Sequence, residues 1–173
     1  MNDLTPTPSQ TVGPFFHFAL EYDGGAQLVP GHDPNAIVLH GTVFDGAGTP
    51  VPDAVVEIWQ ADSSGEAVSR LGSLDRDGIA FTGFGRAATS RAGAYVFTTL
   101  RPGTSFVTLA VFARGLSHHL FTRAYLDDIG DSLLSSLDDA RRSTLLASAD
   151  GPSSYRFDIR MQGEGETVFL EFR

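Results

Sequence analysis

Residues 41–62 read GTVFDGAGTPVPDAVVEIWQAD. Their first part continues an apolar, β-branched run that starts at Ile37 and ends at Phe44, and Asp45-Gly46-Ala47-Gly48 then carries turn chemistry. From Val51 to Trp59 the pattern alternates, with Val56, Ile58 and Gln60 on one face and Val55, Glu57 and Trp59 on the other. Asp62-Ser63-Ser64-Gly65 makes the next turn. A strand, a turn and a strand with period two set the terms for the rest of the chain.

The same period recurs outward from this stretch. Tyr95, Phe97 and Thr99 alternate with Val96, Thr98 and Leu100, and Arg101-Pro102-Gly103 closes that strand. Phe106 to Ala113 is almost wholly apolar on both faces, which is the pattern of a central, buried strand. Near the C-terminus Tyr155, Phe157, Ile159 and Met161 face inward, against Arg156, Asp158 and Arg160 outward; Gly163-Glu164-Gly165 turns the chain and Thr167 to Phe172 returns. Residues 131–147 change period. Leu133, Leu134, Leu137, Ala140 and Leu145 share one helical face, Asp131 or Ser132 caps it, and Arg141 and Arg142 sit late, where the helix dipole favours them. Residues 66–93 show little period of either kind. The expected fold is mainly β, an antiparallel β-sandwich of about seven short strands with one inserted α-helix. A chain of 173 residues suits a single domain, 1–173, with residues 1–16 as an extended N-terminal arm. Pro6, Pro8 and Pro14 keep that arm out of helix and central strand, and Phe15, Phe16 and Phe18 follow with apolar surface that needs cover.

Composition narrows the function classes. The net charge is −9, and every cation is an arginine. With no basic run, neither nucleic acid nor an anionic membrane is an expected partner. There is no cysteine, so disulfides, zinc thiolates and thiol nucleophiles are excluded. The N-terminus has no basic and apolar leader pattern and no apolar run reaches transmembrane length, so the expected location is the cytoplasm. No G-x-S-x-G elbow, G-x-G-x-x-G or Walker loop is present. His118 and His119 are adjacent, and neighbours on a strand point to opposite faces, so they do not form a metal pair.

Five stretches carry more than a strand pattern. They are PSQTVGPFF at 8–16, the GTVFDGAGTPVPDAVV start and the EIWQAD end of the opening segment, GRAATSRAGAYVFTTLRPG at 85–103, LAVFARGLSHHLFTRAYLDD at 109–128, and YRFDIRMQGEGETVFLEF at 155–172. The G-x-V-x-D-x-x-G-x-P-x-x-x-A-x-V part alone resembles transthyretin-like modules, which would make the chain a non-catalytic binding sandwich. Taken together the stretches resemble the intradiol ring-cleavage dioxygenases, and within that family the α chains of protocatechuate 3,4-dioxygenases. The resemblance covers the arm and then residue 40 onward; 20–36 match least and 66–83 only loosely. The last hairpin separates α from β chains.

This resemblance implies a non-haem Fe(III) chemistry that this chain does not perform by itself. The catalytic chains of the family offer two Tyr and an H-x-H pair; phenolate and imidazole suit a hard ferric ion. Here Phe106 and Thr108 stand at the two His places and Ala67 at the first Tyr place. The loop of the second Tyr is nearly absent, because Arg101-Pro102-Gly103 runs straight into the next strand. The implied role is that of an α subunit, inactive alone and without metal of its own. Its partner is an iron-holding β subunit, in a higher hetero-oligomer of αβ units, and the substrate is the small aromatic protocatechuate, opened to 3-carboxy-cis,cis-muconate. The resemblance also implies the pocket-lining residues Thr11, Pro14 and Arg114. Arg114 follows the buried strand and precedes Gly115, at a sheet edge or mouth.

Overall fold

A computed structural model of the chain describes residues 6–13, 15–68, 70 and 79–171. Pro14, the first arm residues and the end of the expected strand 167–172 lie outside them. Period-two runs build β1 (Ala36–Phe44), β2 (Val55–Trp59), β3 (Phe84–Ala88), β4 (Ala94–Leu100), β5 (Phe106–Phe112), β6 (Leu120–Tyr125), β7 (Ser148–Gly151), β8 (Ser154–Arg156) and β9 (Ile159–Arg160). Three short helices join them: α1 (Phe16–Leu20), α2 (Ser132–Ser135) and α3 (Asp139–Ser143). One sheet has the order β4-β1-β8-β7, with β9 also on β1; the other has the order β3-β2-β5-β6.

The two sheets face each other across Leu39 and Val43 of β1, Val56 and Ile58 of β2, Phe97 of β4, Val107, Leu109 and Val111 of β5, and Phe157 and Ile159. Full burial of each such side chain contributes about 1.5–3 kcal/mol, so this layer is the main source of stability. The apolar run at 106–113 is central as its pattern predicts, since β5 pairs with β2 on one side and β6 on the other.

Four details differ from the sequence reading. First, the helix expected across 131–147 is two: Asp131 accepts from the Leu134 amide to start α2, and Asp138 accepts from the Arg141 amide to start α3. Ser136 turns its hydroxyl back to Leu133 O, a local bond that competes with helix continuation. Second, β3 forms in the stretch without a legible period, because its short residues Gly85 and Ala87 pack under Leu28 and the core. Third, β2 starts only at Val55, since Pro52 and Asp53 form a turn. Fourth, the C-terminal segment pairs parallel to β1, and Thr167–Leu170 form no regular strand. The chain passes from β6 of one sheet to β7 of the other through α2 and α3.

The parallel seam is tight. Phe157 N donates to His40 O, and Thr42 N donates to Asp158 Oδ1 at 3.0 Å, so a side chain replaces a carbonyl where the ladder between β8 and β9 breaks. Phe157 O comes so close to Gly41 that a Cβ there would stand 1.9 Å from it. The fully buried Tyr95 donates its hydroxyl to the same carbonyl. Burial and the nearby Asp158 hold the Tyr95 pKa well above the usual tyrosine value, so this hydroxyl stays a donor. Tyr95→Phe would leave a buried carbonyl short of a partner. The expected cost is about 1–3 kcal/mol, read by urea titration of the variant against wild type.

Both flanks of the sandwich are laced. On one flank, residues 25–28 run between the open sides of β3 and β4: Arg86 N donates to Gly25 O, Thr98 N to Ala26 O and Leu28 N to Thr98 O. On the other, Tyr125 of β6 exchanges bonds with Leu145 O and Ala147 N, and Leu170 N donates to Phe121 O.

Candidate functional site

Arg114 lies two residues beyond β5, and its place follows from register. Val55 of β2 pairs with Phe112 of β5, so continuing the antiparallel ladder by two residues sets Asp53 opposite Arg114. Arg114 Nε stands 2.6 Å from Asp53 Oδ2. The pair is asymmetric: 58% of the Arg114 side chain is exposed, against 8% for Asp53. Asp53 Oδ1 is buried without a hydrogen-bond partner. Sequence reasoning placed Asp53 inside the alternating run from Val51 to Trp59 and did not single it out.

The arm reaches the same place from the far end of the chain. Gln10 and Val12 line a cavity of about 210 Å³ together with Phe112, Ala113, Leu116 and the 117–119 bend. Ser9 Oγ lies 3.1 Å from His118 Nε2. Thr11, between Gln10 and Val12, is exposed, and its hydroxyl accepts from Gly13 N at 3.3 Å. Thr11 and Arg114 therefore belong to one end of the sandwich, while Pro14 is outside the described residues. His118 and His119 lie in a bend rather than a strand, and they part there: His118 meets the arm, while His119 stacks on Phe112 and meets the edge of Phe121.

A second face concerns the metal. Phe106 and Thr108 point away from the core, on the outer side of the β3-β2-β5-β6 sheet, where Thr108 pairs with Trp59 and with Arg123. The Arg123 guanidinium lies 4.2 Å from the centre of the Phe106 ring, and its Nη1 donates to the Tyr125 hydroxyl. That hydroxyl in turn donates to Asp131 at 2.7 Å. Burial first, then the Asp131 contact, raises the Tyr125 pKa. Burial works against the Asp131 carboxylate, but the Leu134 amide, the Tyr125 hydroxyl and Arg123 outweigh it and lower its pKa. A phenyl ring, an alkyl hydroxyl and a guanidinium are a poor donor set for Fe(III), and Ala67 adds no donor. The residues at the ligand places do not fit the ion.

Between these regions the outer surface carries exposed aromatic side chains beside the Glu57–Arg86 ion pair. Trp59 packs on Phe84 with ring centres 4.5 Å apart and remains 49% exposed. Arg86, paired with Glu57, donates to Leu20 O and so pins the end of α1 to the sheet. Phe16 is buried, but Phe15 and Phe18 are 74% and 72% exposed. The cover that the sequence demanded for three phenylalanines is supplied within the chain for one.

A family model described as Dioxygenase matches residues 12–109. The protocatechuate 3,4-dioxygenase alpha chain of Pseudomonas putida is 38% identical over 200 residues, covering 98% of each chain. That of Burkholderia cepacia is 36% identical, covering 99% of this chain and 100% of the relative. The beta chain from Burkholderia cepacia is 30% identical over 88% of this chain and 70% of its own length. Among solved structures, the dioxygenase domain of a carbohydrate-binding fusion from Streptomyces sp. SirexAA-E matches with a TM-score of 0.57 at 24% identity, covering 92% of this chain and 99% of that one. A catechol 1,2-dioxygenase of Acinetobacter radioresistens matches with a TM-score of 0.57 at 20% identity, covering 96% and 64%. These two likenesses concern the fold.

Proposed function

The chain belongs to the intradiol dioxygenase family, and from that premise we propose that it is the α subunit of a protocatechuate 3,4-dioxygenase, a part of the enzyme that holds no iron itself. The observation that carries this reading is the near full-length identity to two alpha chains, joined to a donor set at the ligand places that does not suit ferric ion. In this reading the single domain 1–173 works in the cytoplasm, in a hetero-oligomer of αβ units that breaks down aromatic compounds. The β subunit holds Fe(III), which supplies the activation of the bound catecholate. The α chain supplies a wall. Thr11 and Pro14 of the arm and Arg114 close the pocket, exclude water and meet the substrate's carboxylate. The exposed Phe15, Phe18, Val96 and Trp59 support a large apolar contact, of the kind that obligate partners cover with about 2,000 Å² or more.

Metal analysis and co-expression test this together. The chain purified alone is expected to carry no stoichiometric iron and no phenolate-to-iron absorption band. Co-expressed with a β chain, it should gain soluble yield and elute with it as one iron-containing species. A red-brown isolated chain with one iron, or a stable monomer that ignores the β chain, would refute the subunit role.

A further inference from the structure

We propose that Asp53 is the positioning residue of Arg114, holding the guanidinium by its Nε edge so that the Nη fork is presented outward to a carboxylate. This rests on the proposed role of Arg114 in the assembled enzyme and adds a residue to it. Three observations carry it. Asp53 is 6% exposed, and its only ion-pair partner among the described residues is Arg114. Keeping a carboxylate out of water is costly unless a cation stays beside it, so the Arg114 guanidinium is tethered to this spot. The contact uses Nε, at 2.6 Å, while most of the Arg114 side chain remains exposed. Arg114 has no ion-pair partner other than Asp53 among the described residues. A guanidinium is a planar fork, so a grip on the Nε side leaves its terminal pair of N–H groups pre-aimed for two-point contact with a planar anion. The tether is fixed by the turn before β2: Asp53 stands two residues ahead of the Val55–Phe112 pair, on a turn anchored by the buried Thr89, whose hydroxyl accepts from Ala54 N and donates to Val51 O.

Two effects of the Asp53 charge oppose each other. It orients Arg114, which favours binding of a carboxylate, and it offsets part of the Arg114 charge, which disfavours it. Orientation outweighs the offset, because a guanidinium already held in place has less side-chain freedom left to lose when it meets the carboxylate.

The test uses the αβ complex carrying Asp53→Asn, Arg114→Ala or both, assayed on protocatechuate and on plain catechol after co-elution, iron content and melting temperature are checked. Asp53→Asn is expected to lower kcat/KM for protocatechuate about five- to tenfold, mainly through KM, as lost carboxylate binding requires. Catechol should change less than about twofold, and Asp53→Asn should add nothing in the Arg114→Ala background, because residues acting as one unit are non-additive. Unchanged or improved protocatechuate kinetics in Asp53→Asn would overturn the proposal. So would an equal loss on both substrates, or a loss that repeats in the Arg114→Ala background, either of which marks a structural turn. If Asp53→Asn fails to assemble, Arg114→Lys decides: a single-point cation cannot serve Asp53 and substrate together, so wild-type kinetics in that variant overturn the proposal. Failure of the underlying reading looks different: Arg114→Ala alone would leave both substrates untouched, and the positioning role would fall with it.

Discussion

Gly41→Ala lowers the melting temperature by about 8–16 °C, or leaves no folded chain to melt. The seam between β1 and the C-terminal segment has no room for a methyl group: the added Cβ would stand 1.9 Å from Phe157 O and 2.6 Å from Phe157 C. Both are backbone atoms, so no rotamer change relieves the clash. β1 must move away from Phe157, and that movement breaks the Phe157 N–His40 O bond, the Tyr95–Phe157 bond and the Thr42–Asp158 bond at once. Losses of this kind reach roughly 4 kcal/mol, a large share of a domain's stability. For a chain of this size each kcal/mol corresponds to about 2–4 °C. Gly31→Ala is the control, since a Cβ there meets nothing within 4 Å. Differential scanning fluorimetry of both variants checks the contrast; equal melting temperatures would show that the seam is looser than described.

The second large effect is catalytic. In the assembled enzyme, Arg114→Ala should reduce kcat/KM for protocatechuate by roughly one to two orders of magnitude. The chain carries a net charge of −9, so attraction for a carboxylated substrate has to be local. Arg114 is a largely exposed cation paired only with Asp53 among the described residues, and its neighbourhood is shared with the arm. A charge-assisted hydrogen bond contributes about 1.5–3 kcal/mol, and about 1.36 kcal/mol is tenfold in rate. Plain catechol, which lacks the carboxylate, should lose less. Steady-state kinetics on both substrates distinguish the cases: equal losses assign Arg114 to packing, and unchanged rates remove it from the pocket.

Much of this architecture was legible because it follows from one repeat. β1, β4 and β5 stand where alternation or two-sided apolarity places them: β1 and β4 bury every second residue, and β5 buries a continuous run, Leu109–Val111. β3 was not legible because its buried residues include Gly85, whose lack of a side chain admits Leu28 and hides the period. The helical stretch misled because leucine spacing reports which residues face the core and is silent about the break, which is made by the Asp138 cap and the Ser136 hydroxyl. At the site, Arg114 stood out through the motif around it. Asp53 did not, because the sequence reading set it within the alternating run from Val51 to Trp59, where an acid looks the same whether it faces solvent or meets a guanidinium; only the folded contact with Arg114 tells them apart.

The lacing of both flanks has a consequence for how this molecule meets others. A β-sandwich with bare outer strands offers rows of unspent amide and carbonyl groups, which recruit foreign strands and seed fibrils. Residues 25–28 occupy those groups between β3 and β4, and Leu145, Ala147 and Leu170 occupy them along β6. Growth by strand addition is thereby hindered along the β3–β4 flank and along β6, and association there is left to side chains such as Phe18 and Trp59. Recognition through side-chain shape selects a particular surface, whereas a bare backbone edge accepts any extended peptide. Along the laced edges, exposed aromatic area can therefore select one partner surface without inviting backbone-to-backbone growth.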